Sequence, residues 1–231
     1  MAIDEMTIFS LSYHNGAIVF HCPMYPTLKK HTILLGIIAS LLLLIVATSQ
    51  YPGGSQVDKN AVGYHWADNY ISNLFSEKAV NGADNAARFW AVGGMVFLSA
   101  GFALFFIEFA KRIQAKSAAT VIKYVGAGGM IFTFLIATPL HDTMITIAST
   151  MFLIGMFYIT VFVLKSKLHF FKLCCVLCLL IFYWTLYLYG TGQVKFLSIM
   201  QKVNFAITIS LVLGLTYFTG KEDFQPVDEA K

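Results

Sequence analysis

Charge is scarce in this chain: of its 231 residues, 12% are Asp, Glu, Lys or Arg, against 58% hydrophobic. A soluble domain carries about a quarter charged residues, so water would not keep such a surface dispersed. Proline is sparse too, five in the chain, which leaves long apolar stretches unbroken. Cysteine is limited to Cys22, Cys174, Cys175 and Cys178, with no pair in the long polar connector, and this excludes a disulfide framework there. Cys174 and Cys178 fall one helical turn apart on an apolar segment, where cysteine behaves as a small hydrophobe. There is no dense basic cluster and no strand-linked glycine loop, which argues against nucleic acid as a partner and against a nucleotide cradle.

What is present is a series of six apolar runs, at Thr32–Thr48, Phe89–Ala110, Tyr124–Leu140, Thr143–Leu164, Phe170–Tyr189 and Leu197–Phe218. Each approaches the roughly 20 residues that a helix needs to cross the hydrocarbon core. A β-barrel would show residues alternating in and out, whereas Leu41–Val46 is continuously apolar. The expectation is therefore an all-α, polytopic bundle of six transmembrane helices. Lys29, Lys30, Lys111, Arg112, Lys116, Lys123, Lys165, Lys167, Lys172, Lys221 and Lys231 fall on one side of it. Lys59, Lys78, Arg88, Lys195 and Lys202 fall on the other, eleven against five. The basic excess marks the cytoplasmic side, which puts both termini inside and exports the connector 49–88. The same pattern predicts a multi-pass protein of the plasma membrane, the inner membrane if the cell is Gram-negative.

The organisation expected is a cytoplasmic N-terminal segment 1–31, one membrane domain 32–220 and a tail 221–231. Met1 to Cys22 is too polar to span, and Met24 is a second candidate start, placing Lys29 and Lys30 directly before the first span. A competing reading makes Ile33–Ala47 the apolar part of a signal peptide cleaved near Ala47-Thr48-Ser49, which would leave five spans.

Gly93, Gly94, Ala100 and Gly101 in the second span, and Gly126, Gly128 and Gly129 in the third, are small residues that let helix backbones approach in lipid. Glu108 stands one turn before Lys111 and Arg112 and is expected to pair with them. Groups able to do acid, base or ligand work concentrate on the exported side. If helical, the connector places His65, Asp68, Asn69 and Ser72 on one face, with Trp66, Tyr70, Ile71, Leu74 and Phe75 against headgroups or the bundle. The turn Pro139-Leu140-His141-Asp142-Thr143 falls on the same side. His65, Asp68, Ser72, His141 and Asp142 thus form a candidate catalytic cluster, suited to metal ligation or to a base with an orienting acid. The plainer alternative is that His141 and Asp142 cap the fourth span. Asn204, inside the sixth span, should hydrogen-bond another helix or line a cavity, with Ser149 and Thr150 as candidate partners. A proton-coupled transporter would need ionisable groups near mid-membrane, and almost none are there.

The order of these features resembles the six-helix prokaryotic membrane proteins catalogued as domain of unknown function 998. The matching elements are the first span with its exported connector, Asn69-Tyr70-Ile71-Ser72-Asn73-Leu74, Asn85 before a glycine-containing second span, and Pro139 with His141 before the fourth. The resemblance covers residues 30–220 and implies an integral membrane protein without supplying an activity. Where that family has leucine-glycine after the serine, this chain has Leu74-Phe75. A looser similarity is to ceramidase-like and progestin-receptor-like membrane hydrolases, whose zinc site combines serine, aspartate and histidines. Here Ser72, Asp68, His65 and His141 correspond, but a late His-x-x-x-His is missing and there are six spans rather than seven.

Two functional classes follow. The first is a non-enzymatic bundle that binds membrane lipid, another membrane protein or a second copy of itself, with Trp66, Tyr70 and Asn204 as contacts and no cofactor. The second is a lipid-directed, metal-dependent hydrolase or transferase using the exported His and Asp cluster, with zinc as the metal.

Overall fold

The computed structural model describes residues 10–14, 17–21, 24–136, 138 and 140–225. Two short strands, β1 (Ser10–His14) and β2 (Ala17–His21), pair antiparallel, with Ser10 opposite His21 and His14 opposite Ala17. This hairpin departs from the all-α expectation, and the sequence between the strands, Asn15-Gly16, is the strongest short-range hairpin signal. Among the described residues the rest is helix and connector, with isolated bridges pairing Gly53 with Val62 and Lys78 with Asp84 in the loop after the first span.

The helices are α1 (Met24–Gln50), α2 (Ala87–Ala110), α3 (Lys116–Val121), a π-helical segment (Ile122–Gly126), α4 (Ala127–Leu135), α5 (His141–Lys165), α6 (His169–Gly190) and α7 (Val194–Phe218). They run up and down as six helices long and apolar enough to cross a membrane, with α3, the π segment and α4 forming the third. That third span begins at Lys116 rather than Tyr124 and ends at Leu135 rather than Leu140. Hydropathy leaves Lys116 and Lys123 outside the span. Both lie within the helix, Lys123 with its Nζ 4.8 Å over the exposed Tyr124 ring. A lysine near a helix end can lay its stem along the helix and keep its head in a polar layer.

Glycine sets the closest helix approaches. A Cβ at Gly94 would stand 3.1 Å from the Ser40 carbonyl oxygen, and one at Gly36 3.4 Å from that of Phe97, so α1 and α2 touch backbone to backbone. A Cβ at Gly126 would overlap the Phe106 ring, and one at Gly155 would lie 2.9 Å from Phe106 Cε1. Phe106 of α2 is therefore wedged into two glycine notches, one on the π segment and one on α5. The extra residue of a π turn re-aims a helix, and here it presents Gly126 to that ring.

Phe105, Phe106 and Phe109 are fully buried, and Phe109 meets Phe224 of the C-terminal segment with ring centres 5.2 Å apart. At this end Lys111 Nζ donates to Glu108 Oε1 at 2.7 Å, as the one-turn spacing suggested. Arg112 reaches across the bundle instead, donating to the Leu215 carbonyl at 2.7 Å and to Thr219 Oγ1 at 2.6 Å. A cation there satisfies carbonyls that the last turn of α7 leaves unpaired. Burial pulls the Arg112 guanidinium below its ordinary value, while Glu108, Asp223 and Glu222 oppose the drop.

Candidate functional site

The connector between α1 and α2 is held by asparagine side chains. Asn69 is fully buried; its Oδ1 accepts the His65 N–H at 2.8 Å, and its Nδ2 donates to the Gly54 carbonyl at 2.8 Å. Asn73 Oδ1 accepts the Tyr70 N–H at 2.7 Å. Asn85 Nδ2 donates to the carbonyls of Asn73, Leu74 and Ser76, and its Oδ1 accepts the Ala87 N–H at the start of α2. Gly54 has φ +79°, and a Cβ there would run into the Asn81 backbone, so the loop closes only with glycine at that point.

These bonds replace the helix expected from His65 onward. The chain turns at Trp66–Asp68 and then forms a short 3-10 helix, Ile71–Phe75. Asn and Asp side chains compete with the helical ladder for local N–H groups, and here they win. His65, Asp68, Asn69 and Ser72 consequently share no helix face.

One face of α7 clamps this loop onto the bundle. Ser198 Oγ donates to the Ala67 carbonyl, Gln201 Oε1 accepts the Ile71 N–H at 3.3 Å, and Lys202 Nζ donates to the Asn69 carbonyl at 2.6 Å. The Lys202 ammonium also stands 5.7 Å from the centre of the Tyr64 ring. Burial pushes the Tyr64 phenol well up, with the neighbouring Tyr51 adding to the rise. Tyr51 is raised by burial as well, opposed by the Val80 N–H, which donates to its oxygen.

Beneath Ile71–Phe75 lies an inner cavity of about 230 Å³, walled by Met95, Leu98, Phe102, Met130, Phe152, Phe182 and Phe205. Phe152 stacks between Phe102 and Phe182, with ring centres 6.5 and 5.2 Å away. The cavity's polar lining residues are Ser72, Ser99, Thr133, Ser149, Gln201, Asn204 and Thr208. Ser99 Oγ and Asn204 Oδ1 are buried with no hydrogen-bond partner among the described residues. Unmet polar groups in a water-poor interior are costly, so Asn204 lines a cavity rather than bonding a neighbouring helix.

Above it opens an outer basin of about 710 Å³, lined by Tyr70, Ser72, Glu77, Arg88, His141 and Asp142 among others. Ser72, Phe75 and Ile136 line both spaces, so the two adjoin across these residues. His141 Nδ1 lies 2.9 Å from Asp142 Oδ1, and the Tyr189 hydroxyl donates to that same oxygen at 3.1 Å. Among the described residues no side chain caps α5 by a hydrogen bond, but Asp142 lies in its first turn, where a carboxylate meets the positive end of the helix dipole while also holding His141 and Tyr189. His141 Nε2 is buried without a partner among the described residues. Arg88 Nη1 pairs with Glu77 Oε1 at 2.9 Å on the opposite rim.

The structure thus brings Ser72, His141 and Asp142 to one basin, and Tyr70 with them. His65 and the exposed Trp66 face outward on the connector, Asp68 is half-buried there, and Asn204 belongs to the inner cavity. No three His, Cys, Asp or Glu side chains among the described residues stand close enough to hold a metal ion. No protein-family model matches the chain, and neither a curated protein nor a solved structure matches it. The resemblances rest on the residues quoted for them, of which Pro139 lies outside the described residues, as does Cys22. Cys175 and Cys178 are buried in the apolar core.

The sequence names Asn69 for a polar face, Asn73 and Asn85 for a resemblance and Lys202 for the charge balance, but it assigns none of them, nor Ser198 and Gln201 on α7, to the building of this cap. The available signal was the recurrence of asparagine in a loop rich in aromatics, together with three polar residues at i, i+3 and i+4 of an apolar helix.

Proposed function

We propose that this protein is a multi-pass, non-enzymatic binder of a membrane amphiphile, seated with the apolar tail in the inner cavity and the polar head in the outer basin. The observation that carries this reading is that the two spaces adjoin, with Ser72, Phe75 and Ile136 lining both. An apolar pocket with a few polar groups, opening to a charged rim, suits a ligand with one oily and one polar end. Such a molecule is the membrane's own lipid. The distribution of lysine and arginine supports both termini in the cytoplasm and the basin on the exported face of the plasma membrane. The chain is proposed as a relative of the six-helix family of unknown function that it resembles.

The test is native mass spectrometry of protein extracted in mild detergent, wild type beside Ser149→Phe, which fills the inner cavity. Wild type is expected to carry a bound lipid that the variant lacks at unchanged helical content. Lipid retained equally by both would sink the reading.

A second reading is favoured by one observation, the imidazole of His141 held by Asp142 in the same basin as Ser72. In a lipid-directed hydrolase or transferase, with or without zinc, His141 would accept a proton from Ser72 or water while Asp142 orients the ring. That reading requires Ala at His141, Asp142 or Ser72 each to abolish one common lipid-modifying activity, because groups acting as a unit are grossly non-additive.

A further inference from the structure

The inner cavity has a third neighbour. A groove of about 310 Å³ runs between α2 and α4, bounded by Val96, Ser99, Ala100 and Ala103 on one side and by Ala127, Met130, Ile131 and Phe134 on the other. Each set follows the spacing i, i+3, i+4, i+7, so each is one face of its helix. Ala100 and Ala103 on α2 and Ala127 on α4 leave a gap that larger side chains would close. Val96, Ile131 and Phe134 are exposed at its edge, on spans long and apolar enough to lie in hydrocarbon. Ser99 and Met130 line this groove and the inner cavity alike. Both are more than nine-tenths buried, and Ser99 Oγ has no partner among the described residues.

We infer that the α2/α4 groove is a lateral portal, through which the acyl chain of a membrane lipid passes from the bilayer into the inner cavity across a sill formed by Ser99 and Met130. The inference rests on the amphiphile reading above. Its occupant follows from position: the groove's open side faces lipid tails, and its closed side adjoins a cavity lined by phenylalanine. Methionine suits the sill, since its unbranched, three-torsion side chain can swing aside at little cost. The polar head would travel along the outer rim toward Ser72 while the tail slides between the helices, so the ligand never enters bulk water.

The experiment uses full-length protein in phosphatidylcholine vesicles doped with a phosphatidylcholine that carries a nitroxide midway along one acyl chain. Electron paramagnetic resonance reads the immobilised fraction and its exchange rate, and Ser149→Phe defines the part of that fraction due to the inner cavity. Ala127→Trp, which blocks the groove, is expected to slow exchange about tenfold at unchanged occupancy, as an access restriction should. Met130→Ala, which lowers the sill, is expected to speed it, and it answers the question independently should the tryptophan variant not fold. Wild-type exchange rates in both variants, with the cavity-dependent fraction intact, would overturn the portal and leave amphiphile binding standing. A wild-type signal with no component sensitive to Ser149→Phe would remove amphiphile binding and the portal together.

Discussion

The two ends of this bundle are closed by opposite means. At the end bearing Arg112, side chains have been removed so that others can fill the space: Gly126 and Gly155 receive the Phe106 ring, and Phe109 meets Phe224. At the connector end the helices surround a cavity, and a hydrogen-bonded loop roofs it. α2 takes part in both, with Phe106 packed solid and Ser99, less than two turns away, bordering empty space. Apolar sequence alone does not decide which outcome a segment reaches. Glycine opposite a large ring closes a gap, whereas asparagines that can tie down a loop allow a gap to persist.

The contrast is broken most forcefully at the packed end. Phe106→Ala leaves two facing glycine notches with nothing between them, and it should cost about 3–5 kcal/mol, the range for a large core aromatic. Thermal or denaturant unfolding in detergent would show it, and a loss well under that range would mean the notches collapse onto each other. At the roofed end Asn69→Ala strands the His65 N–H and the Gly54 carbonyl, each loss being worth about 1–3 kcal/mol when buried. Here the effect should be local. Hydrogen exchange should accelerate across the connector while the α1 and α2 amides that flank Gly36 and Gly94 keep their protection.

A subtler probe of the roof is alkaline pH. Burial raises the phenols of Tyr51 and Tyr64, so the folded connector binds their protons above the ordinary tyrosine value of about 10. Their contribution is fully present below that pH and is lost as pH rises beyond it, because the unfolded loop then releases protons that the folded loop keeps. Phenolate absorbance appearing together with faster connector exchange would report this, while ordinary titration of all eleven tyrosines near pH 10 would refute it. The smallest effect belongs to the exposed Lys78–Asp84 pair, whose separation by Lys78→Ala should leave unfolding unchanged within error.

The six spans could be read directly from the chain, since length and hydropathy suffice for them. The third lies earlier than its hydropathy predicts, because the helix takes in Lys116 and Lys123 at its start. The candidate site was legible in part. Ser72, His141 and Asp142 converge because the topology returns the α4–α5 turn to the connector end, and hydropathy predicts topology. His65 and Asp68 fall outside the basin because the connector is not a helix, and that depended on where Asn69 sends its amide. A cavity leaves no mark of its own in a sequence, because it is made by side chains that do not meet. The groove beside it has a faint one, the matched alanines at 103 and 127.

The rims of the outer basin are anchored separately. Tyr70 to Ser76 is tied through Ile71 to α7 and through Asn85 to α2, while the opposite rim holds to α6 through Asp142 and Tyr189. Among the described residues no hydrogen bond spans the gap between them. The basin is therefore a seam between two separately tethered rims, held across its mouth by packing and by the shared anchorage of α6 and α7 below, where Cys178 Sγ meets Thr208 Oγ1.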